Sequence, residues 1–279
     1  MRPSRENLFS KRTLIFLRES IHEDAGNGDV TSNLLIPAKA LGKAVAVARH
    51  RGVFSGAPVV RELLKLADPG LKVKFLVRDG SFFRRGKTVL KIEGRVRSIL
   101  RVERCLLNFL SRLSGITTLT RQFVDKVKPY PVFILDTRKT TPIWRALEKY
   151  AVRAGGGRNH RMGLYAAIFV KENHRPHGNL SKLRAHEGKF EIEVRNFREL
   201  REALKLGPRV ILFDNFTPAN LRRAVLMARR ARPEVILEAS GGITFDNVAH
   251  YAALGVDWIS VGALTHSAPS IDFSLLMQK

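Results

Sequence analysis

The apolar residues change rhythm partway along the chain. From about residue 43 to 97, "KAVAVAR", "KVKFLV" and "TVLKIEG" alternate with a period of two, the pattern of half-buried strands. Asp79-Gly80, Arg85-Gly86 and Glu93-Gly94 punctuate them as turns. Between them, "APVVRELLKLA" spaces Val59, Leu63, Leu64 and Ala67 at helical intervals. This stretch predicts a small α+β layer, one sheet covered by helices. "SILRVERCLLNFLSRLSGITTLTRQFVDKV" follows with a helical repeat that puts Leu106, Phe109, Leu110, Leu113 and Ile116 on one face. Ser114-Gly115 predicts a break there between two helices.

Beyond it the rhythm becomes strand, loop, helix, repeated. Apolar strand cores occur at "VFIL", "AAIFV", "FEIEV", "VILF", "VILEA" and "WISVG". Most are separated by helical segments, namely "IWRALEKYAVRA", "NFRELREALKL", "TPANLRRAVLMARRA" and "TFDNVAHYAALG". The last four strand centres, Ile192, Ile211, Leu237 and Ile259, lie 19, 26 and 22 residues apart. That spacing suits βα units with parallel strands and right-handed crossovers. Six such strands predict an incomplete (β/α) barrel, with an open doubly wound sheet as the alternative. Either architecture binds ligands at the carboxyl ends of its strands.

Composition narrows the classes. The 279 residues suffice for one large or two smaller domains. No apolar run is long enough to span a membrane. The basic start, "MRPSRENLFSKRTLIFLRES", lacks the uninterrupted apolar stretch and cleavage site of a secretory signal, and Glu6 and Glu19 argue against a transit peptide. Cys105 is the single cysteine and sits among Leu106, Leu107 and Phe109, so a buried thiol is expected and a disulfide is excluded. A soluble cytoplasmic protein is expected. Lys and Arg number 49 against 25 acids, a net charge of +24 that favours polyanions in general. These cations are spread from Arg2 to Lys279 without a dense block or interleaved aromatics, so charge alone selects no partner.

The strand ends are more selective. The first strand delivers Arg138 and Lys139, and a glycine-rich loop, "GGGRNHRMGL", delivers His160 and Arg161. The second strand ends in Lys171, Glu172, Asn173 and His174. Glu191 and Glu193, two apart, share one side of "FEIEVR", and "ILFDNF" ends at Asp214 and Asn215. The last two strands end in Glu238, Ser240, Gly241 and Gly242, then in Gly262 and Ala263. Cations lead, acids follow, and small residues close the series.

Arg138, Lys139, His160, Arg161 and Lys171 could together hold a small carboxylated anion, since Arg offers a bidentate fork and Lys a point charge. The alternative is a solvated loop. Glu193 and Asp214 could bind sugar hydroxyls or Mg²⁺, or simply neutralise the cations. "SGGIT", read as opening a helix, and "VGALTHS" could cradle a phosphate through close backbone approach and a helix N-terminus, or could be plain turns. The residues thus describe a barrel enzyme for two anionic ligands, one carboxylated and one phosphorylated, with acids between them.

Seven segments carry a family resemblance: "LNFLSRLSGITTLT", "ILDTRKTTP", "EKYAVRAGGGRNHRMGL", "VKENH", "ILFDNF", "EASGGIT" and "GVDWISVGALTHS". With the earlier "HEDAGNGDVTSNLL" and "GVFSG", they resemble the quinolinate phosphoribosyltransferases (nicotinate-nucleotide pyrophosphorylases, carboxylating) over nearly the whole chain. The resemblance implies transfer of phosphoribose from phosphoribosyl pyrophosphate (PRPP) to quinolinate, with Mg²⁺, giving nicotinate mononucleotide, pyrophosphate and CO₂ on the route to NAD. It implies an N-terminal α+β sandwich domain over 1–112, joined by 269–279, and a catalytic incomplete barrel over 113–268. By resemblance Arg138, Lys139, His160 and Arg161 surround the quinolinate carboxylates, and Lys171 lies near both substrates. Glu193 and Asp214 match acids that contact the ribose and the metal, with Lys139, Lys171, Glu193 and Asp214 the catalytic set. Ser240, Gly241, Gly262 and Ala263 match the loops that take the 5′-phosphate. Arg104 matches an arginine reaching into a neighbouring subunit's site, which implies a homodimer.

Three departures stand out. Ile143 and Trp144 follow Pro142 where the family usually has Gly-Leu, Ala166 replaces an expected acid, and the basic segment 175–189 has no close match. Two rivals remain at this level. One is a related transferase of the kind encoded beside molybdate transport genes, against which "RKTTP" and "KENH" argue. The other is nucleic-acid binding driven by charge, for which the sequence carries no recognition motif.

Overall fold

The structure is a computed structural model and describes residues 8–278. Residues 1–7 and 279, the outer ends of the expected N-terminal domain and part of the basic start, lie outside the described residues. The chain divides into two compact units. One holds the residues up to Arg121 together with Thr140–Gly156 and the segment from Ser267 onward; the other holds Gln122–Lys139 and Gly157–His266.

The first unit begins with helix α1 (Lys11–Ala25), capped by Ser10, whose hydroxyl accepts from the Thr13 amide, and burying Leu17 and Ile21. Helix α2 (Val30–Leu35) is capped in the same way by Asp29. Strand β1 (Leu41–Ala48) is flanked by β5 (Thr88–Arg95) and by the chain's last strand, β12 (Phe273–Gln278), and β3 (Lys72–Phe75) adds to the far side of β5. All pairings are antiparallel. Ala44, Val45, Ala46 and Ala48 are buried, so the middle of β1 is covered on both faces. Edge strand β3 instead exposes Lys72 and Lys74, a charge pattern that discourages pairing with another chain. Short strands β2 (Gly52–Val53) and β4 (Phe82–Phe83) form a separate ribbon.

Helix α3 (Ala57–Ala67) buries Val59, Val60, Leu63 and Leu64. Its first amides are held by the Asp79 carboxylate, which accepts from the N–H groups of Gly56 and Ala57 and from the Tyr150 hydroxyl. Burial raises the Asp79 pKa, partly offset by these bonds. The apolar face predicted for the next segment is confirmed, with Leu106, Phe109, Leu110, Leu113 and Ile116 all buried. The predicted break is not. Helix α4 runs unbroken from Val96 to Val127. Gly115 serves closeness rather than flexibility: a Cβ there would stand 2.1 Å from the Pro269 carbonyl oxygen. Cys105 is free and buried; burial, reinforced by Asp24 and Glu23, pushes its thiol up to about 12.

Helix α5 (Arg145–Ala154) belongs to this unit. It carries the fully buried Glu148, which accepts from the Arg112 guanidinium at 2.8 Å and from the amide and hydroxyl of Thr141 at 3.1 and 2.9 Å. A buried charge paired this fully has no unmet bond on its acceptor side. Ile143 has φ +70°, in the left-handed region that a β-branched residue rarely adopts. This is the position where the resemblance implies glycine. Trp144 stacks on Phe109 with centroids 4.6 Å apart.

The second unit is built on six parallel strands: β6 (Phe133–Leu135), β7 (Ile168–Val170), β8 (Phe190–Val194), β9 (Val210–Asp214), β10 (Ile236–Ser240) and β11 (Trp258–Ser260). Their order is β6-β11-β10-β9-β8-β7. Every neighbour is therefore next in sequence, save that β6 pairs with β11 to close the cycle. A doubly wound sheet reverses its strand order at a switch point, and this one does not. The result is the incomplete barrel, its seam lying between β6 and β7. One bridge, Leu135 to Arg158, lies at the seam.

Helices α6 (Phe197–Leu206) and α7 (Pro218–Ala231) follow β8 and β9, capped by the side chains of Asn196 and Thr217. Helices α8 (Val248–Ala252) and α9 (Ala263–His266) are short. The expectation that "SGGIT" opens a helix is corrected here: α8 begins several residues later. With Gly241 and Gly242 at φ +87° and +62°, the backbone turns before any helix can form.

Replacing Gly115 by alanine tests the reading of α4. Because the obstructing atom is backbone, G115A is expected to cost about 3 kcal/mol, seen as a lower denaturant midpoint with an unchanged slope. A nearly neutral substitution would return Gly115 to the role of a helix break.

Candidate active site

The parallel strands deliver their carboxyl ends to one cavity of about 430 Å³ in the second unit. Residues from five of the six strands and their following loops line it, beginning with Thr137, Arg138 and Lys139. Alternation explains the inner lining. Leu212 is level with Glu193 and Glu238, and Asp214 with Ser240, so positions two apart on neighbouring strands face the same interior.

The cationic wall rests on two supports that sequence patterns did not single out. Asp136 is fully buried and accepts from the His160 amide at 2.9 Å and from the Asn159 side-chain amide. Its own amide donates to Arg158, whose amide donates to Ile134. The loop carrying His160 and Arg161 is thereby tied to the strand that carries Arg138 and Lys139. Phe169, on β7, is the second support. Its ring stacks with His160, centroids 5.5 Å apart, and lies under the Arg161 guanidinium at 4.9 Å and Lys171 Nζ at 4.4 Å. A cation over an aromatic face gains from the ring quadrupole. Asp136 closes a strand whose tip was read for its cations, and Phe169 looks like any strand core residue.

Arg161 also donates from Nη1 to the Ala167 carbonyl at 3.0 Å. Burial, then repulsion from Arg138, lowers its pKa. Two guanidinium groups this close favour a bound anion between them. His160 presents no unoccupied ring nitrogen: Nδ1 accepts from the Arg161 amide at 2.8 Å, and Nε2 lies 3.2 Å from Glu191 Oε1.

Lys171 Nζ bonds the buried Glu193 carboxylate, so the charge that Lys171 brings to the site is already paired. Glu193 itself is not among the cavity's lining residues, whereas Lys171 and Asp214 are. Burial, then the Glu193 charge, raises the Asp214 pKa, while Asn215 and Lys171 oppose the shift. Asn215 sits at φ +55° and donates to Asp214 at 3.0 Å.

The later strands give a small-residue rim. Ser240, Gly241, Gly242, Gly262 and Ala263 all line the cavity. A Cβ on Gly241 would meet the Asn215 amide nitrogen at 2.8 Å, and one on Gly262 would meet Lys139 Cδ at 3.2 Å. Both glycines therefore allow an approach that a side chain would block. Arg104 is not part of this lining; it borders a cavity of the first unit with Ser20, Glu23, Asp24 and Trp144. Glu238, which sequence reasoning noted but assigned no role, lines the main cavity and is fully buried. Burial, with the nearby Glu191 charge, pushes its carboxyl up to about 8.

A barrel mouth with a cationic wall, a pair of acids and a glycine rim defines an enzyme site for anionic substrates. Models of the quinolinate phosphoribosyl transferase N-terminal and C-terminal domains match residues 29–114 and 116–276. The chain belongs to the quinolinate phosphoribosyltransferase family. A nicotinate-nucleotide pyrophosphorylase (carboxylating) of Mycobacterium leprae is 38% identical over 269 residues, covering 93% of this chain and 95% of the relative. A mitochondrial quinolinate phosphoribosyltransferase (decarboxylating) of Nicotiana tabacum is 36% identical over 92% of this chain and 79% of its own. The solved nicotinate-nucleotide pyrophosphorylase of Francisella tularensis superposes with a TM-score of 0.89 at 36% identity, covering 96% of each chain.

The Glu238 shift makes a stability prediction. A carboxyl raised from 4.5 to about 8 binds its proton in the folded state while the unfolded chain has already released it. Its stabilisation is complete below 4.5 and is lost as pH rises through 8. E238Q carries no such proton, so its denaturation midpoint is expected to gain on the wild type steadily across that window. A constant difference between the two proteins would contradict the shift.

Proposed function

We propose that this protein is a decarboxylating quinolinate phosphoribosyltransferase, producing nicotinate mononucleotide, pyrophosphate and CO₂ for de novo NAD synthesis. The observation that carries the reading is the joining of a cationic wall to a glycine rim inside one cavity. Family membership supplies the chemistry.

Arg138, Lys139 and Arg161 hold the quinolinate carboxylates, the guanidiniums as forks and the lysine as a point charge. The backbone at Ser240, Gly241, Gly262 and Ala263 receives the 5′-phosphate of PRPP. This fixes the pyridine nitrogen against C1 of the ribose. The nitrogen attacks C1 as the bond to pyrophosphate breaks, and Asp214 with Glu193 offsets the positive charge that develops on the sugar. His160 is held by Glu191 beside the wall and keeps Arg161 oriented through its amide. The C2–carboxylate bond then breaks to release CO₂, its electron pair stays at C2 where the adjacent quaternary nitrogen stabilises it electrostatically, and C2 takes up a proton from solvent. Positioning and electrostatics suffice, and no covalent nucleophile is needed.

Mg²⁺ fits the acids. Asp214 and Glu193 are two carboxylates close enough for one to perturb the other, and this ion characteristically combines one or two carboxylates with phosphate oxygens. Together with PRPP oxygens they would hold it, and when bound it supplies neutralisation for the leaving pyrophosphate.

The working unit in this proposal is a homodimer in which Arg104 completes the neighbouring subunit's site. The exposure of Arg104 to a cavity of the first unit, apart from the lining of the catalytic one, supports that role. A cytoplasmic location is proposed with it; the sole cysteine is a free thiol, as a reducing compartment favours.

PRPP-dependent release of CO₂ from carboxyl-labelled quinolinate tests the reaction, and chelation of Mg²⁺ should abolish it. R138A and K139A should each lower kcat/KM for quinolinate by about 100-fold or more; unchanged turnover would remove the carboxylate wall from the mechanism. The dimer makes a separate prediction. When inactive R104A and K139A subunits are mixed and allowed to exchange, random pairing should restore about a quarter of the wild-type activity. No recovery would mean that Arg104 acts within its own chain or not at all.

A further inference from the structure

Glu238 lies beneath the cationic wall, and its surroundings are unusual for a carboxylate. Ser260 donates to Oε1. Oε2 is buried and has no hydrogen-bond partner among the described residues, and the residue lines the cavity. Its neighbours can be named strand by strand. Glu191 approaches from β8, His160 from the seam loop with Nε2 3.8 Å from Oε1, Lys171 from the end of β7, and Ser260 from β11. On β9 the residue level with it is Leu212, and Asp214 is two positions further along. Arg138, Lys139 and Arg161 share the cavity.

His160, Glu191 and Glu238 place their donor atoms within 4.8 Å of one another, a spacing that could suit a metal ion. The histidine decides against one. Its Nδ1 accepts the Arg161 amide proton, so the neutral ring carries its own proton on Nε2. That nitrogen donates to Glu191 and has no lone pair for a cation. One N–H thus serves two close carboxylates, and Glu191 takes it at 3.2 Å. Among the described residues Glu238 is left with a serine hydroxyl on one oxygen and no partner on the other, in a site read as receiving a dianion. As a carboxylate it would repel that ligand; as an acid it can donate to it.

We propose that Glu238 meets the bound pyridine dicarboxylate as a neutral carboxylic acid, donating a hydrogen bond from Oε2–H to a ligand oxygen. This inference rests on the quinolinate reading and adds to it a specificity residue on the cavity floor. The proton stays on Glu238 throughout, so the group acts by selective donation and transfers nothing. Its raised pKa, about 8 before ligand binds, keeps it protonated at neutral pH. Loss of the proton then converts the donor into a like charge, so quinolinate affinity falls on the alkaline side.

The test is the pH dependence of KM for quinolinate at saturating PRPP and Mg²⁺, from pH 6 to 10, in wild type, E238Q and S260A. Wild-type KM should be flat below about 8 and rise above it, approaching tenfold per pH unit. E238Q should show an elevated KM at neutral pH, since an amide is the poorer donor, but without the alkaline rise. S260A removes a bond that favours the ionised form, so its rise should begin at higher pH than in the wild type. An alkaline rise that persists unchanged in E238Q, or one that does not move in S260A, overturns the proposal. S260A keeps the test decisive should E238Q fail to fold. Wild-type enzyme with no quinolinate turnover at any pH would instead refute the functional reading beneath it.

Discussion

The buried carboxylate of Asp136 is the interaction on which the site depends. A closed barrel holds each strand between two neighbours, and this one lacks a pairing between β6 and β7. Thr137, Arg138 and Lys139 line the cavity from one side of that seam, and His160 and Arg161 line it from the other. Asp136 spans it with hydrogen bonds from the His160 amide and the Asn159 side chain, while the main chain adds reciprocal bonds between Arg158 and residues 134 and 136. The bonds hold the cations of one loop against those of another despite their mutual repulsion. Without a fixed partner on this side, two arginines and a lysine would separate into solvent.

The distribution of charge follows from the same geometry. Parallel strands bring all their carboxyl ends to one side, so residues far apart in sequence become neighbours. The cations there face an aromatic ring, Phe169, which favours their charge without neutralising it. The acids are arranged differently. Glu193 is paired with Lys171, Asp214 is held by Asn215, and Glu238 is left with one bare oxygen. Burial raises the proton affinity of both Asp214 and Glu238, with different neighbours opposing the shift in each, which is how similar side chains acquire different tasks.

Much of this was legible beforehand. The period-two runs of the first unit and the strand–helix alternation of the second are strong local signals, and both correspond to observed elements. The tips of the strands revealed the cationic, acidic and small-residue groups because each stands next to an apolar core that fixes its place. Ser114-Gly115 misled because a glycine that admits a neighbouring backbone looks in sequence like one that ends a helix. "SGGIT" misled because a glycine pair with positive φ resembles a helix start until its dihedral angles are known. Asp136, Phe169 and Glu238 escaped for another reason. Their importance lies in what faces them across the barrel, and no spacing along one strand reports that.

The antiparallel sheet of the first unit has a consequence for the order of events in synthesis. Strand β1 pairs on one side with β5, close by in sequence, and on the other with β12, where Ala48 lies opposite Phe273. The whole of the second unit is encoded between those two partners. A growing chain must therefore expose one edge of β1 until β12 emerges, and such an edge is open to mispairing with other chains. Losing β12 would then leave that edge of β1 open in the finished sheet as well.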